Sequence, residues 1–276
     1  MSKSKHYLIL FLALGFSSFL LGQRANNRSK SELGILAGGI YYIGDLNPES
    51  HFKNTELTYG AIYRYNPHSR TAFRSSFMYG IVKASDTDAN NDFQRNRNLS
   101  FESEIFEFSA GFEFNYLPYK TGHDRHRFSP YLFAEIGVFH MNPKTEFNGE
   151  LIALQDLGTE GQGSGLSSRN FYPKVQFNIP IGLGIKASLS KNICFNLEYV
   201  LRKTFTDYLD DVSSYRYPNR EELTASSGPL VAELSNRSLD GSSFGQRGNP
   251  STKDWYFSLM AGLSIRLGKP DRCFHH

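Results

Sequence analysis

Apolar and polar side chains alternate without a break from Lys253 to Gly268, KDWYFSLMAGLSIRLG. Trp255, Phe257, Leu259, Ala261, Leu263, Ile265 and Leu267 share one face; Tyr256, Ser258, Met260, Gly262, Ser264 and Arg266 share the other. A period of two is that of an extended strand with one greasy side and one small, polar side. The stretch is long for a soluble strand. A strand tilted near 45° crosses a bilayer in about 9–11 residues, and this one exceeds that.

Seven earlier stretches follow the same rule and predict strands over 32–45, 57–65, 71–83, 101–116, 128–141, 175–189 and 193–205. The second sets Tyr59, Tyr63 and Tyr65 against Thr58 and Arg64; the fourth sets Phe106, Phe108, Phe112 and Phe114 against Glu107, Ser109 and Glu113. Residues 66–70, NPHSR, form a polar turn that makes strands two and three a hairpin. Pro180 in the sixth stretch is awkward for a central strand unless a local bulge absorbs it.

The connections alternate in length. Those at one end span 11, 17, 33 and 48 residues, and those at the other 5, 11 and 3. An even-stranded meander with short periplasmic turns and long extracellular loops is the signature of an outer-membrane barrel. The predicted fold is therefore all-β, an eight-stranded antiparallel transmembrane β-barrel with a filled polar interior and both chain ends in the periplasm. A soluble barrel would also alternate, but its outer face would carry many Lys, Glu and Thr. Here the polar face is Gly, Ser and Asn with one or two charges per strand, which suits a crowded inside.

On that facing the interior charges are Glu32, Glu107, Glu113, Glu135 and Glu198 against Arg64, Arg74, Lys186, Arg202 and Arg266. Five acids and five bases predict an interlocked network that fills the barrel, since unpaired buried charge is costly. Eight strands enclose side chains and no water-filled channel. Function then lies at the rims, with no small-molecule substrate and no cofactor expected.

Composition agrees with this picture. The chain has 276 residues, 39% of them hydrophobic, and a mean hydropathy of −0.42, too polar for a bundle of membrane helices. One apolar run, Tyr7 to Leu21, follows Lys3 and Lys5 and precedes small residues, which predicts a signal peptide over 1–22 and a barrel domain over 23–276. Without that segment the chain carries 28 basic and 27 acidic residues, a balance that points to no nucleic-acid partner. The 23 Phe and 16 Tyr suit a wall in contact with outer-membrane lipid.

Candidate chemistry is sparse. His51 and His140 lie near the long-loop edge, where small barrel enzymes place a histidine beside Ser or Asp, yet neither sits in a motif. His123, Asp124, Arg125 and His126, or the terminal His275 and His276, could hold a metal but lack further ligands at suitable spacing, and read as solvated segments. Asp207, Asp210 and Asp211 lack the pattern of a calcium loop and read as structural. No metal, cofactor or catalytic residue is assigned. Cys194 and Cys273 fall at the short-turn end of adjacent strands, so they either bond each other or leave Cys273 for a partner.

The segments YYIGDL (41–46), YRYNPHSR (63–70), SPYLFAEIGVFHMNPK (129–144) and LEYVLRKTFTDYLDDVSSY (197–215) together resemble the PorG-type outer-membrane protein of the Bacteroidetes type IX secretion system. The resemblance covers nearly the whole mature chain, and RKTFTDYLDDVS is its most specific piece. It implies a barrel that is not the translocation pore and that attaches, from the periplasmic side, a ring of PorK-like lipoprotein and PorN-like protein. The candidate docking residues are Asn66, Pro67 and His68, then Leu117, Pro118, His123 and Arg125, and in the tail Lys269, Arg272 and Cys273. The competing expectation is an adhesin or ligand-binding protein acting through the long loops.

Overall fold

The computed structural model describes residues 30–167, 169–243 and 245–268. Its strands are β1 (Ser31–Ile43), β2 (Glu56–Tyr65), β3 (Thr71–Ser85), β4 (Ser100–Asn115), β5 (Phe128–His140), β6 (Pro143–Phe147), β7 (Glu150–Ala153), β8 (Val175–Ser188), β9 (Ile193–Thr204) and β10 (Trp255–Leu267). All but β6 and β7 join in one closed antiparallel ring, in which each strand pairs with its neighbour in the meander and β1 returns to β10. The predicted eight-stranded barrel is present, and each predicted strand ends within two residues of the observed one. Closure leaves no wall strand with an unpaired edge, which a hydrocarbon environment demands.

The faces fall as the alternation requires. Ile35, Phe112 and Ile136 are 73%, 66% and 74% exposed on the outside, whereas Arg64 and Glu107 are 0% and 2% exposed within. A water-soluble barrel would show the reverse, so this wall faces lipid. The interior is filled, but not uniformly. Most of the charge occupies the half nearer the short turns; in the other half Ile40, Tyr42, Met78, Val82, Ile105, Phe139 and Tyr256 form an apolar core that borders the Arg202–Glu107 pair. Inward glycines let the strands coil tightly: a Cβ on Gly111 would come within 2.1 Å of the Ala134 carbonyl oxygen.

The bulge that would absorb Pro180 does not form. The registers Ala134↔Ile181 and Gly137↔Asn178 belong to one unshifted ladder, and Pro180 pairs in step with Arg202 of β9. Proline lacks the donor for one rung, so the β5–β8 ladder lapses over residues 135–136 and 179–180 and resumes without inserting a residue.

The long connections are built, not loose. β6 and β7 form a hairpin that extends the sheet past β4. Short helices α1 (Asp92–Arg97), α2 (Arg220–Ser227) and α3 (Pro229–Ser235) lie in the other long connections, α1 and α2 capped by Asn91 and Asn219 and α2 packed on α3. Leu46, Leu99, Met141, Tyr172, Leu209 and Val212 from these loops continue the apolar core of the barrel, giving one cap over the long-loop mouth.

Candidate functional site

Eight of the ten predicted interior charges meet as ion pairs. Arg64 Nε lies 2.7 Å from Glu113 and its Nη2 2.6 Å from Glu198, while Nη1 donates to Asn196 at 2.8 Å. Arg74 reaches Glu135 at 3.0 Å and Glu198 at 3.1 Å, with its guanidinium 3.5 Å from the centre of the Phe133 ring. Lys186 completes this cluster on Glu113. Three bases and three acids thus balance in a site of almost no solvent access. Nearer the cap, Arg202 pairs with Glu107 at 2.8 Å, and Asn178, Tyr256 and Ser258 saturate that pair. The cavity beside Arg74, Glu135, Glu198 and Arg202 amounts to about 10 Å³, room for one water.

Glu32 and Arg266 depart from the expected network. They face each other across β1 and β10, but each holds Thr121 instead: the Thr121 hydroxyl donates to Glu32, and Arg266 Nη1 donates to the Thr121 carbonyl at 2.8 Å. The 117–127 connection therefore folds into the barrel end. Tyr119 and Thr121 are 4% and 2% exposed, with Lys186 Nζ over the Tyr119 ring, and the Gly122 amide donates to Ser188 at 2.8 Å. The connection is a plug whose tip, His123 to Arg127, faces outward. Of the docking candidates, His68 and Arg125 are exposed, Leu117 is 41% exposed beside the plug, and Asn66, Pro67 and His123 are partly covered. Lys269, Arg272 and Cys273 lie outside the described residues, as do the predicted signal peptide and His275 and His276. Cys194 is fully buried; its pairing with Cys273 lies outside the described residues because Cys273 does.

At the other mouth, two buried hubs bind the loops together. Glu160 accepts from the Ser213 and Ser214 amides at 2.8 and 2.7 Å and pairs with Arg247 and Arg169. Burial opposes its charge, yet Arg247 and these donors outweigh burial and hold its carboxyl below the usual carboxylate range. Arg97 grips Asp86 through two bonds of 2.7 Å and donates to the Arg247 and Asp45 carbonyls. Asp210 and Asp254 both reach the Tyr42 hydroxyl, at 2.6 and 2.9 Å, and burial raises both carboxyls well above their ordinary value. Asp211 accepts from Thr159 and from Tyr172, and burial pushes it up to about 6.

Of the LDD motif, Asp210 thus clamps its loop to β1, and Asp211 ties it to the connection between β7 and β8. His51 Nδ1 lies 3.0 Å from the Tyr41 hydroxyl in an aromatic cluster with Phe257, and His140 lies on the outer wall beside Phe106. His123 Nδ1 accepts the Arg125 and His126 amides and shapes the plug tip. Among the described residues no group of three or more His, Cys, Asp or Glu side chains could hold a metal ion.

A closed wall of eight amphipathic strands, apolar outside and ion-paired inside, defines an outer-membrane β-barrel. Residues 11–225 match the family described as Domain of unknown function (DUF6089), and the chain belongs to it. No curated protein sequence matches. Among solved structures, Neisserial surface protein A is 8% identical, with 87% of this chain and 98% of that chain covered and a TM-score of 0.43. The attachment invasion locus protein Ail of Yersinia pestis, in complex with the heparin analogue sucrose octasulfate, is 9% identical (86% and 97% covered, TM-score 0.41). The outer membrane protein OprG of Pseudomonas aeruginosa is 8% identical (88% and 99%, TM-score 0.40).

Proposed function

We propose that this barrel is a non-enzymatic component of a type IX protein secretion machine that holds a periplasmic ring of PorK-like lipoprotein and PorN-like protein at the outer membrane. One observation supports the reading best: the barrel is solid from plug to cap, which leaves no path for cargo and suits an anchor. The motif resemblance supplies the partner. In this reading the short turns and both chain ends are periplasmic, and the docking surface is His68, the plug tip at His123 and Arg125, and the tail.

Replacing all of 117–127 would unseat Tyr119 and Thr121 and open the barrel end, so a surface change is the cleaner test. Substituting His68, His123 and Arg125 together with alanine is expected to reduce co-purification of the ring proteins while the barrel stays folded. Undiminished co-purification rejects the docking surface.

Exposed apolar groups on the cap, Tyr215 at 57% and Leu239 at 72%, favour a second reading in which the long loops bind a ligand or a host surface. Removing 213–253, which carries Arg247, would dismantle the cap. Changing Tyr215 and Leu239 to serine spares it: an anchor keeps secretion, and an adhesin loses attachment.

A further inference from the structure

The charges outside the barrel are divided by end. Beyond the short-turn edge Lys30, Arg70, Lys120, Arg125, Arg127 and Lys191 stand against one acid among the described residues, Asp124, which lies 3.0 Å from Arg127. The long connections and adjoining strand ends, 44–56, 83–104, 140–175 and 203–254, carry 20 acids and 13 bases. The ion-paired interior offsets neither excess.

Three of these bases directly border the lipid-facing wall. Arg70 donates at 2.6 Å to the carbonyl of Tyr116, which is 69% exposed; Arg127 precedes Phe128, 47% exposed; Lys191 sits between Leu189 and Ile193, 64% and 39% exposed. Basic side chains placed just past the end of an apolar surface extend along it and hold their charge at headgroup depth. They come from three successive turns of the ring, β2–β3, β4–β5 and β8–β9, and follow half of the rim. Each lies against side chains of the lipid-facing wall, which puts its charge where the headgroups begin.

We propose that this basic collar binds the anionic phospholipid headgroups of the leaflet at the short-turn end and fixes the depth and direction in which the barrel sits. Naming that leaflet as the periplasmic one rests on the orientation given under Proposed function. One Lys or Arg near an anionic surface strengthens the contact about fivefold.

The test is native mass spectrometry of the full mature chain released from nanodiscs of equal phosphatidylglycerol and phosphatidylcholine. The unaltered protein is expected to retain phosphatidylglycerol in several-fold excess. The exposed triple variant R70Q/R127Q/K191Q is expected to bring the ratio near one, and K144Q/K174Q/K203Q at the other end to leave it unchanged. Equal retention of the two lipids by the unaltered protein, or an excess that survives the first variant, overturns the proposal. So does a first variant that keeps its lipid and loses a periplasmic protein partner, since the collar would then serve that protein. Labelling of Lys191→Cys on intact cells by a membrane-impermeant maleimide would refute the orientation separately and leave the lipid preference standing.

Discussion

Arg64 is the residue whose loss the filled barrel should tolerate least. Its guanidinium donates to Glu113, Glu198, Asn196 and Tyr131, and its side chain is inaccessible to solvent. Arg64→Met leaves Glu113, Glu135 and Glu198 facing only Arg74 and Lys186, so one carboxylate is uncompensated where water cannot reach it. Breaking a buried pair costs about 3–5 kcal/mol, and the lost hydrogen bond to Asn196 adds about 1 kcal/mol. The expected loss of about 4–6 kcal/mol lowers the folding equilibrium by roughly three to four orders of magnitude. Trp255, the single tryptophan, sits on β10 and reports unfolding in urea with lipid vesicles through its fluorescence. Arg64→Met with Glu198→Gln restores the charge balance and should recover about half of the loss. A single variant destabilised by less than about 1 kcal/mol, or a double variant no better than the single, would refute the view that charge balance in a dry interior governs stability.

Other outcomes follow from single contacts. Gly111→Ala drives a Cβ against the Ala134 backbone oxygen and should abolish the heat-modifiable folded band on electrophoresis. Glu160→Gln should raise hydrogen exchange in the cap at neutral pH, with barrel amides unaffected. In the unaltered protein, because the Glu160 carboxyl is held low, its contribution is complete above the ordinary carboxylate range and fades as pH falls through the lower folded value. Asp211 has the opposite sign. Its folded value of about 6 lies above the ordinary 3.8, so its contribution is complete below 3.8 and lost as pH rises through about 6. Asp211→Asn should flatten exchange in the cap over that window, and a profile identical to the unaltered protein's would contradict this.

The wall was legible because a closed barrel imposes one rule on every strand: the face that meets lipid is apolar and the face that meets the packed interior is small or charged. Arg64, Glu113 and Glu198 could be placed inside from parity alone. The rule weakens where both faces are apolar, as at Ile40 to Ile43, and the apolar upper half of the barrel was missed for that reason. Glu160 lies in a glycine-rich run, TEGQGSG, and Arg97 and Arg247 lie among polar residues; such segments have no period and read as solvated. Their partners are up to 150 positions away, as between Arg97 and Arg247, so no local signal marks them. Tyr119, an aromatic after Pro118 in an otherwise polar turn, was the one hint of the plug. Pro180 misled because its missing donor interrupts a ladder without shifting it.

Conductance through a planar bilayer tests the central claim most directly, since a wall facing lipid around a solid interior can insert without passing ions. The folded, detergent-purified chain is expected to enter the bilayer and leave its current at baseline across a wide range of voltages. Steady stepwise currents that scale with the amount of inserted protein would mean an open lumen between Arg64 and the cap, and the anchor built on a filled barrel would fall with it.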